Sequence, residues 1–216
     1  MKHKKLAPIV RYIVPPLIKL WIKKINGLEH VPKSGPIILA ANHSSYIEHM
    51  MFAAILVPLL DKKIHFIAKK EHFESMTQSS WHALWSRYIG YIPIDRSKGE
   101  EALEAAKAYL EKNAIVIIYP EGTRTLTGRI QKGKTGVARL ALWSKAPVVP
   151  VGIKGTFEIM PKGKHIPRCK RATFMFGKPM YFEKYYKKEQ TKEMLREITD
   201  VIMKEIARLA GQHYQF

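Results

Sequence analysis

The chain has 216 residues, 46% hydrophobic and 25% charged, which suits one folded domain and excludes a disordered chain. Its 37 Lys+Arg against 18 Asp+Glu give a formal net charge of +19, so its surface attracts anions: nucleic acid, anionic lipid headgroups or phosphorylated substrates. The single cysteine, Cys169, excludes an intramolecular disulfide and a four-cysteine zinc site, and suits a reducing compartment.

Residues 1–25, "MKHKKLAPIVRYIVPPLIKLWIKKI", are basic and apolar. Arg11, Lys19, Lys23 and Lys24 interrupt the apolar run, Pro15-Pro16 break it, and no small-residue cleavage site follows, so it is not a signal peptide. Nowhere does an apolar run reach the roughly 18 residues of a transmembrane helix. The expectation for 1–26 is an amphipathic segment in a membrane interface, carrying Leu17, Ile18, Trp21 and Ile22; an arm packed on the domain's own core is the alternative. Residues 27–216 read as one domain.

"PIILAAN" (36–42) predicts a short buried strand, and the apolar run 47–60 a helix. A strand follows at 63–69, a helix at 71–88 and a strand at 89–95. Residues 99–113, with Glu100 and Glu101 in the first turn, form the clearest helix. The β-branched run 114–120 predicts a buried strand. Beyond it come a helix at 135–145, extended chain at 147–155, a strand at 171–180 and a helix at 189–210. In that last helix Leu195, Ile198, Ile202, Ile206 and Leu209 share one face. Alternation of this kind implies an α/β sheet flanked by helices.

The first strand delivers Asn42 and His43 at its C-terminal end, where ligands bind in open α/β sheets. Glu48 follows one helical turn later, and Ser44 or Ser45 can cap the helix between them. A carboxylate on one imidazole nitrogen fixes the tautomer and makes the other nitrogen a better base. On spacing alone such a pair is more often structural. The stretch "GRIQKGKT" (128–135) satisfies the phosphate-binding P-loop pattern, but the strand before it ends too early. The histidines show no metal-ligand spacing, so no metal is expected. Trp81, Trp85 and Tyr88 at helical spacing read as core.

Four blocks occur in order: "NHSSYIEH" (42–49), "YIPIDRS" (91–97), "YPEGTRT" (119–125) and "VVPVGI" (148–153). Together they resemble the glycerolipid acyltransferase family, which contains the 1-acylglycerol-3-phosphate acyltransferases. The resemblance covers about residues 27–180. Glu48 stands where those enzymes usually carry Asp, although related lipid acyltransferases tolerate Glu there. Tyr119 replaces the usual Phe.

The resemblance implies a mixed central sheet flanked by helices and transfer of a fatty acyl group from a thioester to a lipid hydroxyl. His43 would be the general base and Glu48 its orienting acid. Arg96 and Arg124 match the family's phosphate-binding arginines. Gly122 and Thr123 belong to the same substrate-binding block, and Glu121 either accepts from the acceptor hydroxyl or holds Arg124. Lys69, Lys132 and Lys134 are further candidates for phosphate, with Lys70 beside the first of them. The expected partners are a lysophospholipid acceptor, acyl-CoA or acyl carrier protein as donor, and the cytoplasmic face of a membrane, with no cofactor. An acyltransferase for another acceptor, such as a lyso-ornithine lipid or a glycolipid, is the alternative that Glu48 keeps open. Nucleic-acid binding fits the bulk charge but finds no aromatic-interleaved basic motif.

Overall fold

A computed structural model describes residues 14–60, 64–69, 89–94 and 99–216. Among the described residues seven strands form one sheet: β1 (Ile22–Asn26), β2 (Ile37–Ala41), β3 (Ile64–Lys69), β4 (Ile89–Ile94), β5 (Ile115–Ile118), β6 (Val148–Lys154) and β7 (Ala172–Phe176), in the order β1-β7-β6-β2-β5-β3-β4. The strands from β6 to β4 run parallel, β7 is antiparallel to β6, and β1 is parallel to β7. The mixed sheet flanked by helices is the one expected. The predicted helix at 71–88, with Trp81, Trp85 and Tyr88, lies outside the described residues, as do Lys70 and Arg96.

The helices are α1 (Val14–Lys19), α2 (Ile47–Leu60), α3 (Gly99–Glu111), α4 (Gly136–Ser144), the single turn α5 (Thr156–Ile159) and α6 (Lys192–Ala210). They divide the core by the strand period of two. Ile37, Leu39 and Ala41 of β2 and Ile115 and Ile117 of β5 join α1 and α2 on one face. Ile38, Ala40, Val116 and Ile118 join α3, α4 and α6 on the other. Burial on both faces explains why the central strands read as unbroken apolar runs. Among the described residues no helix is long and apolar enough to cross a membrane.

The N-terminal expectation needs correction over its last five residues. Residues 22–26 are not part of an interfacial helix but the edge strand β1. Ile22 and Ile25 pack against the core, Lys23 and Lys24 stay exposed, and the Ala172 N–H donates to the Trp21 carbonyl at 2.7 Å. The free edge of β7, some 150 residues away in sequence, supplies the backbone partners that make the strand. Pro15 and Pro16 do not break α1; they sit in its first turn, where no N–H is needed.

α6 begins on Thr191, whose hydroxyl accepts from the Met194 N–H, and ends on Gly211 in the left-handed region. Its C-terminal turn lies directly on Gly152 of β6, where an added Cβ would stand 2.3 Å from the Ala210 nitrogen. Main chain on both sides leaves no flexible side chain to yield. Gly152→Ala is expected to cost about 3 kcal/mol and lower Tm by about 10 °C, which thermal denaturation measures.

Candidate active site

His43 follows the C-terminal end of β2, and block three clamps its backbone from both sides. The His43 N–H donates to Glu121 Oε1 at 2.8 Å, and its carbonyl accepts from the Thr125 N–H at 2.9 Å. Asn42 locks the same strand end to β6: its amide donates to the Ile153 carbonyl at 2.9 Å and accepts from the Ile153 N–H at 2.7 Å. His43 therefore sits on a loop with little freedom to shift.

The start of α2 brings Glu48 back to it. Ser45-Tyr46-Ile47-Glu48 has the spacing of a capping box, in which a glutamate three residues into a helix reaches back to the cap's N–H. Glu48 Oε1 accepts from the N–H groups of Ser44 and Ser45 at 3.0 and 2.9 Å, and the Ser45 hydroxyl accepts from the Ile47 N–H at 3.3 Å. The Ser45 hydroxyl also donates to the Met160 carbonyl at 2.6 Å. The Ser45 hydroxyl is thus occupied in shaping the turn, as expected of a capping residue, and Ser44 contributes its N–H. The same geometry leaves Glu48 Oε2 at 2.7 Å from His43 Nδ1. The longer glutamate suits this double use: one oxygen caps the helix, the other meets the imidazole.

Thr156, the first residue of α5, completes the pair by donating its hydroxyl to Glu48 Oε1 at 2.7 Å. Glu48 is fully buried, and burial pushes its carboxyl up to about 8 against the opposing pull of Thr156, the two backbone N–H groups and the Arg124 charge. All three donors to Oε1 leave the line between Oε2 and Nδ1 as the place for a proton, so the two side chains titrate as one unit. The form with a basic Nε2 is the one that holds a single proton, on Nδ1.

This gives a pH prediction with a definite sign. On the reading of His43 as base, the reactive form gains population as pH rises, and burial of Glu48 moves that titration upward. Thr156→Val removes a bond that lowers it. The acid limb of the kcat/KM profile is expected to move to higher pH, and the rate at pH 7 to fall about tenfold; a lower rate with an unmoved limb would make Thr156 merely structural.

The Tyr119 ring stacks on His43, with centroids 3.8 Å apart and planes 14° from parallel, and His49 and Phe66 extend the cluster. Tyr119 also lines a cavity of about 870 Å³ together with Ile118, Pro120, Gly122, Leu103 and Val137. The phenol thus replaces phenylalanine without loss of the flat face that holds the imidazole.

In block three, Glu121 is buried and turned into the protein. Both of its oxygens are used inside the protein: Oε1 by His43 N–H, Oε2 by the Gln131 N–H and side-chain amide at 2.9 and 3.2 Å. These bonds make it a buried strut beneath His43. Burial pushes its carboxyl up to about 7, opposed by those donors. Gly122 takes φ 72°, and the Lys134 side chain lies along the space its missing Cβ would occupy, at 3.2–3.3 Å. Thr123 is half-buried, and its carbonyl accepts from Gln131 Nε2 at 3.4 Å. Arg124 is half-buried with its guanidinium 5.9 Å from the Tyr46 ring centroid. Lys132 is exposed on the same segment as Lys134, and Lys69 ends β3.

The P-loop pattern at 128–135 forms no phosphate cradle. The N–H groups of Arg129, Ile130, Gln131, Gly133 and Lys134 are donated to Thr127 Oγ1, Gln212 Oε1, Glu121 Oε2, the Tyr214 hydroxyl and the Pro120 carbonyl. A phosphate-binding loop needs those groups turned outward.

Thr156 and Gln131 were not legible as parts of the site. The one hint for Thr156 was its place just beyond the strand of the fourth block.

The Acyltransferase family profile matches residues 23–154, more than half of the chain. A 1-acyl-sn-glycerol-3-phosphate acyltransferase of Bacillus subtilis is 26% identical over 190 residues, covering 88% of both chains. One from Limnanthes douglasii is 34% identical over 170 residues, 74% of this chain; the chain spans 56% of that longer protein. The crystal structure of the 1-acyl-sn-glycerophosphate (LPA) acyltransferase PlsC from Thermotoga maritima superposes with a TM-score of 0.63 at 22% identity, over 98% of this chain and 86% of that one, and shares the fold. With the first, third and fourth blocks gathered around one histidine and the profile spanning all four, the chain belongs to the Acyltransferase family and is an O-acyltransferase.

Proposed function

We propose that the protein moves a fatty acyl group from an acyl thioester, of coenzyme A or acyl carrier protein, to the free hydroxyl of 1-acylglycerol 3-phosphate, giving phosphatidic acid. The observation that carries this reading is the 2.7 Å contact between His43 Nδ1 and Glu48 Oε2 at the end of β2. With Nδ1 committed to the carboxylate, Nε2 takes the acceptor's hydroxyl proton as its oxygen attacks the thioester carbonyl. Glu48 supports the imidazolium that results. Collapse of the tetrahedral intermediate breaks the C–S bond, and the departing sulfur recovers the proton from Nε2. The acyl group passes directly to the acceptor, so no acyl-enzyme and no cofactor enter the scheme.

Arg124 and Lys134 flank Gly122 in chain or in space, and with Arg96 they form the phosphate-binding set of this proposal; Lys69 and Lys132 are further candidates for it. The enzyme works peripherally at the cytoplasmic face of a membrane, where its amphiphilic acceptor resides. The names of the relatives support the choice of acceptor. The test is to incubate the purified protein with labelled acyl-CoA or acyl carrier protein and a panel of lysolipids, identifying products by mass. Phosphatidic acid is the expected product. Turnover of a different lysolipid with none of lysophosphatidic acid would overturn the acceptor.

A further inference from the structure

The chain from Lys154 to Arg171 leaves the C-terminal end of β6 and returns at the start of β7, so it stands at the same end of the sheet as His43. After α5 it carries Lys162, Lys164, Arg168, Lys170 and Arg171, all exposed, and between Lys154 and Arg171 the one carboxylate is Glu158. It is tied at its base: the Arg168 N–H donates to the Ile159 carbonyl at 2.9 Å, and the Trp21 indole N–H donates to the Arg168 carbonyl at 3.1 Å. Its root is also the root of the catalytic pair, through Thr156 to Glu48 and the Met160 carbonyl to Ser45.

At its tip Ile166 is 83% exposed, the most exposed large apolar side chain among the described residues. The next two are Leu126, 72% exposed, and Leu20, 60%. Leu126 follows Thr125, which is bonded to His43, and Leu20 precedes Trp21, which is bonded to Arg168. The three side chains that water favours least therefore share the end of the molecule that carries the catalytic pair and a dense positive charge. Apolar wedges among lysines and arginines complement an anionic bilayer: the charges meet lipid phosphates while the side chains enter the acyl boundary.

We propose that the loop Pro161–Arg171 is a membrane-docking element that seats the mouth of the site on anionic lipid, with Ile166 as its wedge. The proposal rests on the reading of the protein as a lipid acyltransferase working at a membrane. It differs from attachment through the N-terminal segment alone, because a loop rooted in Thr156 and Met160, which are bonded to the catalytic turn, fixes the orientation of the site as well as its proximity.

The test uses the full chain and flotation with vesicles of phosphatidylglycerol and phosphatidylcholine, compared with pure phosphatidylcholine. The wild type is expected to float with the anionic vesicles and to dissociate as salt rises. Lys162→Gln/Lys164→Gln/Lys170→Gln is expected to lower partitioning about 10²-fold, and Ile166→Ser about tenfold. The replaced side chains are exposed, so Tm should not change. Acylation of a short-chain acceptor held below its aggregation concentration should also be unchanged, while turnover of vesicle-borne acceptor falls. Unchanged flotation of both variants would overturn the proposal. So would equal loss with the monomeric acceptor, which would make the loop part of the substrate site, or a loss confined to duplex RNA binding. If no lysolipid is acylated by any form yet partitioning falls as stated, the docking surface stands and the enzymatic reading fails.

Discussion

His43→Ala is expected to lower kcat for acyl transfer about 10³-fold or more while the protein stays folded. The ring rests on Tyr119 and touches Glu48, but its backbone is what the fold holds, through Glu121 and Thr125. Those two bonds survive the substitution, so Tm should move by only a few degrees. KM for either substrate should change little, since the imidazole acts on the hydroxyl proton during attack. Steady-state kinetics with thiol release as the readout separates these quantities. A near wild-type rate would remove the base from the scheme.

Glu48→Gln is expected to be nearly as damaging, about 10³- to 10⁴-fold, for a tautomeric reason. The amide has one oxygen, and the N–H groups of Ser44 and Ser45 with the Thr156 hydroxyl claim it. Its NH₂ then faces His43 Nδ1 and donates to it, which places the imidazole proton on Nε2 and leaves no base toward the acceptor. The double variant His43→Ala/Glu48→Gln should be no worse than His43→Ala alone, because the two residues act as a unit. Glu48→Asp keeps the charge but withdraws it by one methylene, and a loss of about 10²-fold is expected. If Glu48→Gln retained the wild-type rate and pH profile, Glu48 would be only the second half of a capping box.

The parallel strands and most of the long helices were legible because burial on both faces of a sheet demands unbroken apolar runs, and "PIILAA" and "AIVII" supply them. α6 was legible from one apolar face, Leu195 to Leu209, followed over about four turns. β1 was not. "IKKIN" carries two lysines in a basic segment, and what makes it a strand is the distant edge of β7, which no local pattern encodes. In the site, the spacing of His43 and Glu48 was weak by itself, and the four blocks in order carried the pair. The block that holds Glu121 was visible, but its use was not: a carboxylate in a conspicuous motif looks like a ligand contact, whereas here the geometry spends both oxygens on the main chain and side chain around it. Thr156 is a single hydroxyl with no pattern of its own.

The bonds from Asn42 to Ile153 and from Glu48 to Thr156 join residues 111 and 108 positions apart. Contacts of such long range form late, because a large loop must close before they return any stabilisation. During synthesis the histidine and its acid leave the ribosome early, yet their supports follow more than a hundred residues behind. A nascent chain ending before Thr156 carries the whole of the first three blocks and lacks the hydroxyl that completes the pair. Under the proposed mechanism, competence for chemistry is thus a late event in the protein's biogenesis, arriving with the fold's closure and not with its signature residues.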